Sequence, residues 1–398
     1  MASTVGDIAG PTGPATPGTD VPRSDMGTDI RPFRIEIPQA DLDDLHRRLA
    51  ATRWPRQLPG GTRRGVPVDR LRALAEHWHT GYDWRAAEAG LNRFPQYLTE
   101  IDGHDVHFLH VRSGRPDAVP LVLTHGWPNS FVEFSRLIEP LTRPATGGPA
   151  FDVVVPSVPG FGFSAPPSDT GWTPKRVAGM WVELMHRLGY DRYGVQGGDL
   201  GAYVVPEAAR LAPDRVIGAY VTAGLGIPSP ADVPTLTPDE KAAYDAMMSA
   251  DWVTGVDHHA LLRAAPQTLS YAWQDSPVGL LAWLTQKFTD FGTSGDPLDE
   301  VIEADLLLTN ASVYWFTATS GTSAWPYYDS TSSGWPEGQT AVPTGVYSGP
   351  PGFRRLAERD NTITHWPTDN PGRHHFPAMD VPEAMAADLR AFFGPLAR

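Results

Sequence analysis

The stretch GVQGGDLG, residues 194–201, sets how the rest of the chain is read. A short apolar run leads into paired glycines, and a helix-compatible stretch follows. That order suits a sharp strand-to-helix turn that pushes one side chain out into a pocket. Serine is the familiar occupant of such a position; here it is Asp199. An Asp beside Gly is commonly just a turn or helix-capping residue, so the catalytic reading requires partners elsewhere.

Two other stretches supply them. HGWP, residues 125–128, closes an earlier apolar run, and HHFPAM, residues 374–379, precedes the last helical stretch. A carboxylate attacks carbon and leaves an ester on the enzyme. Directed at an ester or amide it would give an anhydride. It therefore suits an alkyl carbon with a leaving group, as in an epoxide or an alkyl halide. Water must then clear the ester at the Asp carbonyl carbon, which calls for a general base and an oxyanion hole. The backbone N–H groups of Trp127 and Leu200 fall where such a hole is built. His375 is the expected base, with His374 as its rival.

Composition narrows the class. The 398 residues carry 32 basic and 46 acidic side chains, a formal charge of −14, with no basic run. Nucleic acid and anionic membrane surfaces are thus poor partners. The absence of cysteine excludes disulfides and thiol chemistry. No apolar run reaches the ~18 residues of a membrane span, and no secretory leader pattern is visible. A cytoplasmic protein is expected. The histidines lack metal-ligand spacing, His77 and His79 included, and no cofactor motif occurs.

Along the chain, residues 1–29 read as a flexible Gly/Pro/Thr-rich tail. Residues 30–97 form an N-terminal segment. Phe33, Ile35 and Ile37 alternate as in a strand, and Leu42, Leu45 and Leu49 recur at helical spacing. A helix starting at Val68, Leu71 and Leu74 follows. Residues 98–225 open with a hairpin and then alternate strand and helix, which predicts a mostly parallel α/β sheet. Residues 226–340 break that rhythm with Pro-rich helices heavy in Trp and Tyr, a helical cap over the sheet edge. Residues 341–398 return to the sheet with two strands and a closing helix.

The ordered motifs resemble the microsomal-type epoxide hydrolases, from about residue 30 to 395. They are RIEIPQADLDDLHRRLAATRWP, YDWR, LNRFPQY, HVRS, LTHGWPNSFVEF, PSVPGFGFS, QGGDLG, DSPVGLLAW, YW before PYYD, PTGV, and HF before the final helix. The resemblance implies an α/β-hydrolase fold with a cap and an N-terminal wrapping segment. It also implies Asp199 as nucleophile, His375 as base, and lid tyrosines that bind the epoxide oxygen, one of them at Tyr327 with Tyr328 adjacent. A homodimer follows by analogy only.

Three departures from the family pattern stand out. Upstream of Pro266-Gln267-Thr268, the other lid tyrosine is replaced by His258, or by His259 if the alignment shifts. After PTGV, Gly352 occupies the place of the acid that orients the catalytic His, and the nearest other acids are Glu358 and Asp232. Arg373 and His374 replace glycines before HF, which puts bulk beside the base. The leading expectation is hydrolysis of a bulky apolar or secondary-metabolite epoxide, with Trp315 and Trp325 among the substrate-binding residues. The missing acid leaves a non-hydrolytic cyclase or isomerase of natural-product biosynthesis as the alternative. A non-catalytic binder is the third reading. Haloalkane dehalogenation is disfavoured because Leu200 stands where a halide-binding Trp is needed.

Overall fold

The computed structural model describes residues 29–62, 64–145, 147–222, 225–249, 258–329, 338–348 and 353–397. Most of the tail reading, and Gly352, lie outside the described residues. Among the described residues one nine-stranded sheet runs in the order β1-β2-β3-β5-β4-β6-β7-β8-β9. Its strands are β1 Arg31–Phe33, β2 Gln96–Ile101, β3 His104–Val111, β4 Val119–Thr124, β5 Phe151–Pro156, β6 Tyr193–Gly198, β7 Val216–Thr222, β8 Thr340–Val346 and β9 Asn361–His365. From β5 to β9 neighbouring strands are parallel, while β1, β2 and β3 pair antiparallel at one edge. This is the α/β-hydrolase architecture expected from the alternation of apolar runs and helical stretches.

The β2–β3 hairpin turns at Asp102-Gly103, both with positive φ, the geometry a two-residue hairpin loop needs. Strand β1 is shorter than the alternation predicts. Past Phe33, the N–H groups of Ile35 and Ile37 go to side chains, Asn92 Oδ1 at 3.0 Å and Glu88 Oε1 at 2.7 Å, so no ladder continues. Both isoleucines are still buried; burial alone does not make a strand.

Helices Pro174–Arg187 and Leu200–Leu211 pack on one face of the sheet and help to bury Trp181, Leu184, Val204 and Val205. The closing helix Pro382–Phe393 covers the other face with Leu389, Phe392 and Phe393. Between β7 and β8 runs the helical insertion, which includes Pro238–Met248, His258–Ala264, Pro266–Asp275, Pro277–Asp290, Ala304–Thr317 and Trp325–Tyr328. The N-terminal helices Gln39–Ala50 and Val68–Glu76 dock on it. Arg48 donates to the Asp275 carbonyl at 2.7 Å, Trp78 Nε1 to Ser312 Oγ at 3.0 Å, and Tyr82 pairs with Thr309 at 3.0 Å. The segment thus ties the sheet edge, through β1, to the insertion.

The interior holds histidines in their neutral form. Burial lowers His107 to about 3, and His110, His125 and His374 to about 4. Their ring nitrogens are engaged: His107 with Ser157 and Gln96, His110 with Tyr190, His125 with the Val158 N–H. Burial instead raises the Glu133 carboxyl well above its ordinary value. Each of these histidines has a folded pKa below its unfolded one. The unfolded chain therefore binds more protons between roughly pH 4 and 6.5, and stability is lost as pH falls through that window. Glu133 opposes this by one proton held in the folded state. These five groups together would take up about three protons on unfolding near pH 5.5, a contribution on the order of 4 kcal/mol per pH unit. Urea midpoints compared at pH 7 and pH 5 measure it, and an unchanged midpoint rejects it.

Candidate active site

The parallel pairing Thr124↔Gly197 brings the end of β4 beside the end of β6. HGWP and GGDLG therefore meet at the carboxyl edge of the sheet, the usual place for sites in open α/β sheets. Asp199 sits in the tight turn with φ 52 and ψ −119, a backbone region costing a non-glycine residue about 1–3 kcal/mol. Two glycines make the turn possible. A Cβ on Gly201 would lie 2.3 Å from the Thr124 carbonyl oxygen, and one on Gly126 would lie 2.3 Å from Asp199 Cβ.

The strained turn aims the carboxylate. Asp199 Oδ1 accepts from the Trp127 N–H at 2.9 Å and the Leu200 N–H at 2.8 Å. Oδ2 lies 3.5 Å from His375 Nε2, an electrostatic contact too long for a strong hydrogen bond. Both side chains keep about a quarter of their surface open, 23% for Asp199 and 27% for His375. Burial acts to raise the Asp199 pKa, but His375 and the two N–H donors outweigh it and hold the carboxyl below its ordinary value. The N-terminus of helix Leu200–Leu211 favours the same anion. Asp199 is thus ionised at neutral pH, with one oxygen cradled and one exposed.

An aromatic wall stands over it. His258 stacks on Trp127 with ring centroids 5.2 Å apart, and Tyr327 meets Trp127 edge-on at 5.5 Å. His258 and Tyr327 are themselves 5.5 Å apart, His259 is 5.3 Å from Tyr327, and Trp283 is 6.0 Å from Trp127. Burial, then the charge of Asp199, push the Tyr327 phenol well above its ordinary value, so it keeps its proton.

The family model described as "Epoxide hydrolase N terminus" covers residues 30–134, and that of the alpha/beta hydrolase fold covers residues 119–253. A protein of Stigmatella aurantiaca, named provisionally as an epoxide hydrolase, is 42% identical across 92% of this chain and 85% of its own length. Epoxide hydrolase 1 of Sus scrofa is 30% identical across 92% of this chain and 89% of its own. The chain belongs to the epoxide hydrolase family. The solved juvenile hormone epoxide hydrolase of Bombyx mori superimposes with a TM-score of 0.84 at 26% identity, over 93% of this chain and 95% of that one. This epoxide hydrolase has the family's α/β-hydrolase fold. Among its described residues no helix is long and apolar enough to cross a membrane, and no metal-ligating cluster of three or more side chains occurs.

The structure places Asp199, Trp127, Leu200, His375, Tyr327 and His258 side by side. Other expected site residues are placed differently. Trp325 is fully buried and spends its Nε1 on the Pro159 carbonyl at 2.8 Å; Trp315 is buried with Arg48 over its ring. Their contacts are those of packing residues. Tyr328, next to Tyr327, is 42% exposed. Neither rival acid reaches the base: Asp232 is bonded to Ser229 and Arg359, and Glu358 to Arg354. Among the described residues, no carboxylate hydrogen-bonds the His375 ring from behind. His374 is not a rival base, because it is buried with both ring nitrogens engaged.

Sequence reasoning missed Glu133, a buried acid in the short turn Phe131–Phe134 whose pKa responds to Asp199. As the sole carboxylate in HGWPNSFVEF, it was available as a signal. It also missed Tyr203, raised to about 12 by burial and by Asp199.

Proposed function

We propose that the enzyme opens an epoxide by attack of Asp199 Oδ2 on a ring carbon and then hydrolyses the resulting ester. The observation that carries this reading is the split carboxylate, with Oδ1 in a two-N–H cradle and Oδ2 beside His375. As the new carbon–oxygen bond forms, the ring C–O bond breaks. Tyr327, with His258 beside it, hydrogen-bonds the departing oxygen and supplies its proton. Water then adds to Asp199 Cγ while His375 takes its proton. Negative charge builds on Oδ1, where the Trp127 and Leu200 N–H groups already point. Collapse breaks the Cγ–Oδ2 bond and releases the diol, with His375 returning a proton to the leaving oxygen. The new carboxylic acid ionises and restores the proton lost by Tyr327.

The helices of residues 226–340 serve in this reading as a cap. Trp127, Trp283, Phe291 and Tyr327 fit a bulky apolar epoxide. A second reading is favoured by one observation, the lack of a carboxylate behind His375 among the described residues. In it, an internal nucleophile of the substrate completes ring opening without water. Mass spectrometry of the product formed in heavy-oxygen water separates the two. Hydrolysis adds one water whose oxygen becomes heavy over many turnovers; cyclisation adds no mass and rejects the hydrolytic step.

A further inference from the structure

The loop that carries His375 is held by the insertion. The His375 N–H donates to the Phe291 carbonyl at 3.0 Å, the Thr293 N–H donates to the Arg373 carbonyl at 2.8 Å, and Gly292 bridges to His374. Arg373 adds a bond to the Glu300 carbonyl at 2.9 Å, and its own N–H goes to Asp380. The His375 ring lies between two aromatic rings: Phe291 at 5.3 Å, tilted by 35°, and Phe376 at 4.8 Å, edge-on. Phe291 directly follows helix Pro277–Asp290 of the insertion, and Phe376 belongs to the core. The orientation of the base is thus set by two walls from different parts of the molecule.

His374 links those walls. Its Nε2 lies 2.8 Å from the Phe288 carbonyl, one turn before Phe291, and its Nδ1 accepts from the Phe376 N–H at 3.2 Å. A carbonyl only accepts, so Nε2 carries the proton and Nδ1 is bare; the neutral tautomer satisfies both bonds at once. The ring is 5% exposed and stacks on Phe288 at 5.7 Å and 21°. A glycine at this position would leave the Phe288 carbonyl and the Phe376 N–H without these partners. We propose that His374 is a positioning residue that fixes the His375 ring for attack of water on the Asp199 ester, doing by a brace between cap and core what a carboxylate behind the base would do. This rests on the hydrolytic reading above.

Three proteins test it: the parent enzyme, His374→Phe and His374→Asn. Phenylalanine keeps the stack on Phe288 and loses both polar bonds. Asparagine can keep the short bond to the Phe376 N–H, as such side chains do in turns. Rapid-quench mass spectrometry with an apolar epoxide, such as styrene oxide, follows formation and decay of the Asp199 ester. Misplacing a catalytic group by about 1 Å costs ~10²-fold. In His374→Phe, ester decay is therefore expected to slow ~10²-fold, with ester formation changed less than about threefold. Because only the second step slows, kcat and KM fall together and kcat/KM holds. Asparagine should recover part of the decay rate. A merely structural defect would disturb Asp199 as well and lower kcat/KM. Decay at the parent rate in folded His374→Phe overturns the proposal, as does an equal slowing of both steps. Should His374→Phe not fold, parent-like decay in His374→Asn overturns it. If the parent enzyme forms no ester on Asp199, the hydrolytic reading itself has failed, an outcome distinct from either.

Discussion

Asp199→Asn is expected to abolish epoxide turnover, by ~10⁴-fold or more, while the protein stays folded. The amide oxygen can still accept from the Trp127 and Leu200 N–H groups, so the cradle remains filled. Asparagine tolerates positive φ about as well as aspartate, and stability should change by less than about 1 kcal/mol. What disappears is the negative charge on the oxygen beside His375. A loss of that size in a protein with a parent-like melting curve cannot come from the scaffold. Steady-state assays with several apolar epoxides, alongside thermal melts, measure both quantities. Turnover within tenfold of the parent would remove Asp199 from the reaction. Asp199→Ala gives the same loss of turnover with a larger loss of stability, since it keeps the strained backbone and gives up both hydrogen bonds.

The second large effect is the opposite in kind. His375→Gln should retain the first step and lose the second, so that one equivalent of substrate stays on the enzyme. Diol release is expected to fall by ~10²–10⁴-fold, the range for loss of a general base. Intact-protein mass should rise by the mass of the epoxide, and proteolysis should place the adduct on the peptide containing Asp199. The pH of the experiment matters. His375 is one of the groups that hold the Asp199 carboxyl low, so removing it lets that pKa rise. At pH 8 the carboxylate still ionises, and alkylation is preserved. Steady diol production without an adduct would mean that water attacks the epoxide directly.

Much of this site is legible from sequence because its demands are local. The tight turn needs glycine around Asp199, and the Trp127 and Leu200 N–H groups follow from strand ends set by apolar runs. His258 could be placed by counting back from Pro266-Gln267-Thr268, because the spacing within one segment carries the information. The failures involve partners far apart in the chain. Ile35 and Ile37 alternate like a strand, yet their N–H groups find Asn92 and Glu88 more than fifty residues away. Trp315 and Trp325 have the composition of a substrate platform, but Arg48 and Pro159 occupy them. His374 reads as a rival base or as added bulk until the Phe288 carbonyl, 86 residues away, is seen at its Nε2. An inserted helix returning to the catalytic loop leaves no periodic trace.

The unequal setting of the two Asp199 oxygens gives the residue a division of labour across cycles. In the proposed cycle Oδ2 departs with each product and is replaced from solvent, whereas Oδ1, pinned by two amides, need not leave at all. The nucleophile is then half renewable and half permanent. Any flip of the carboxylate between turnovers would be written into the isotopic ancestry of the atom that stays behind.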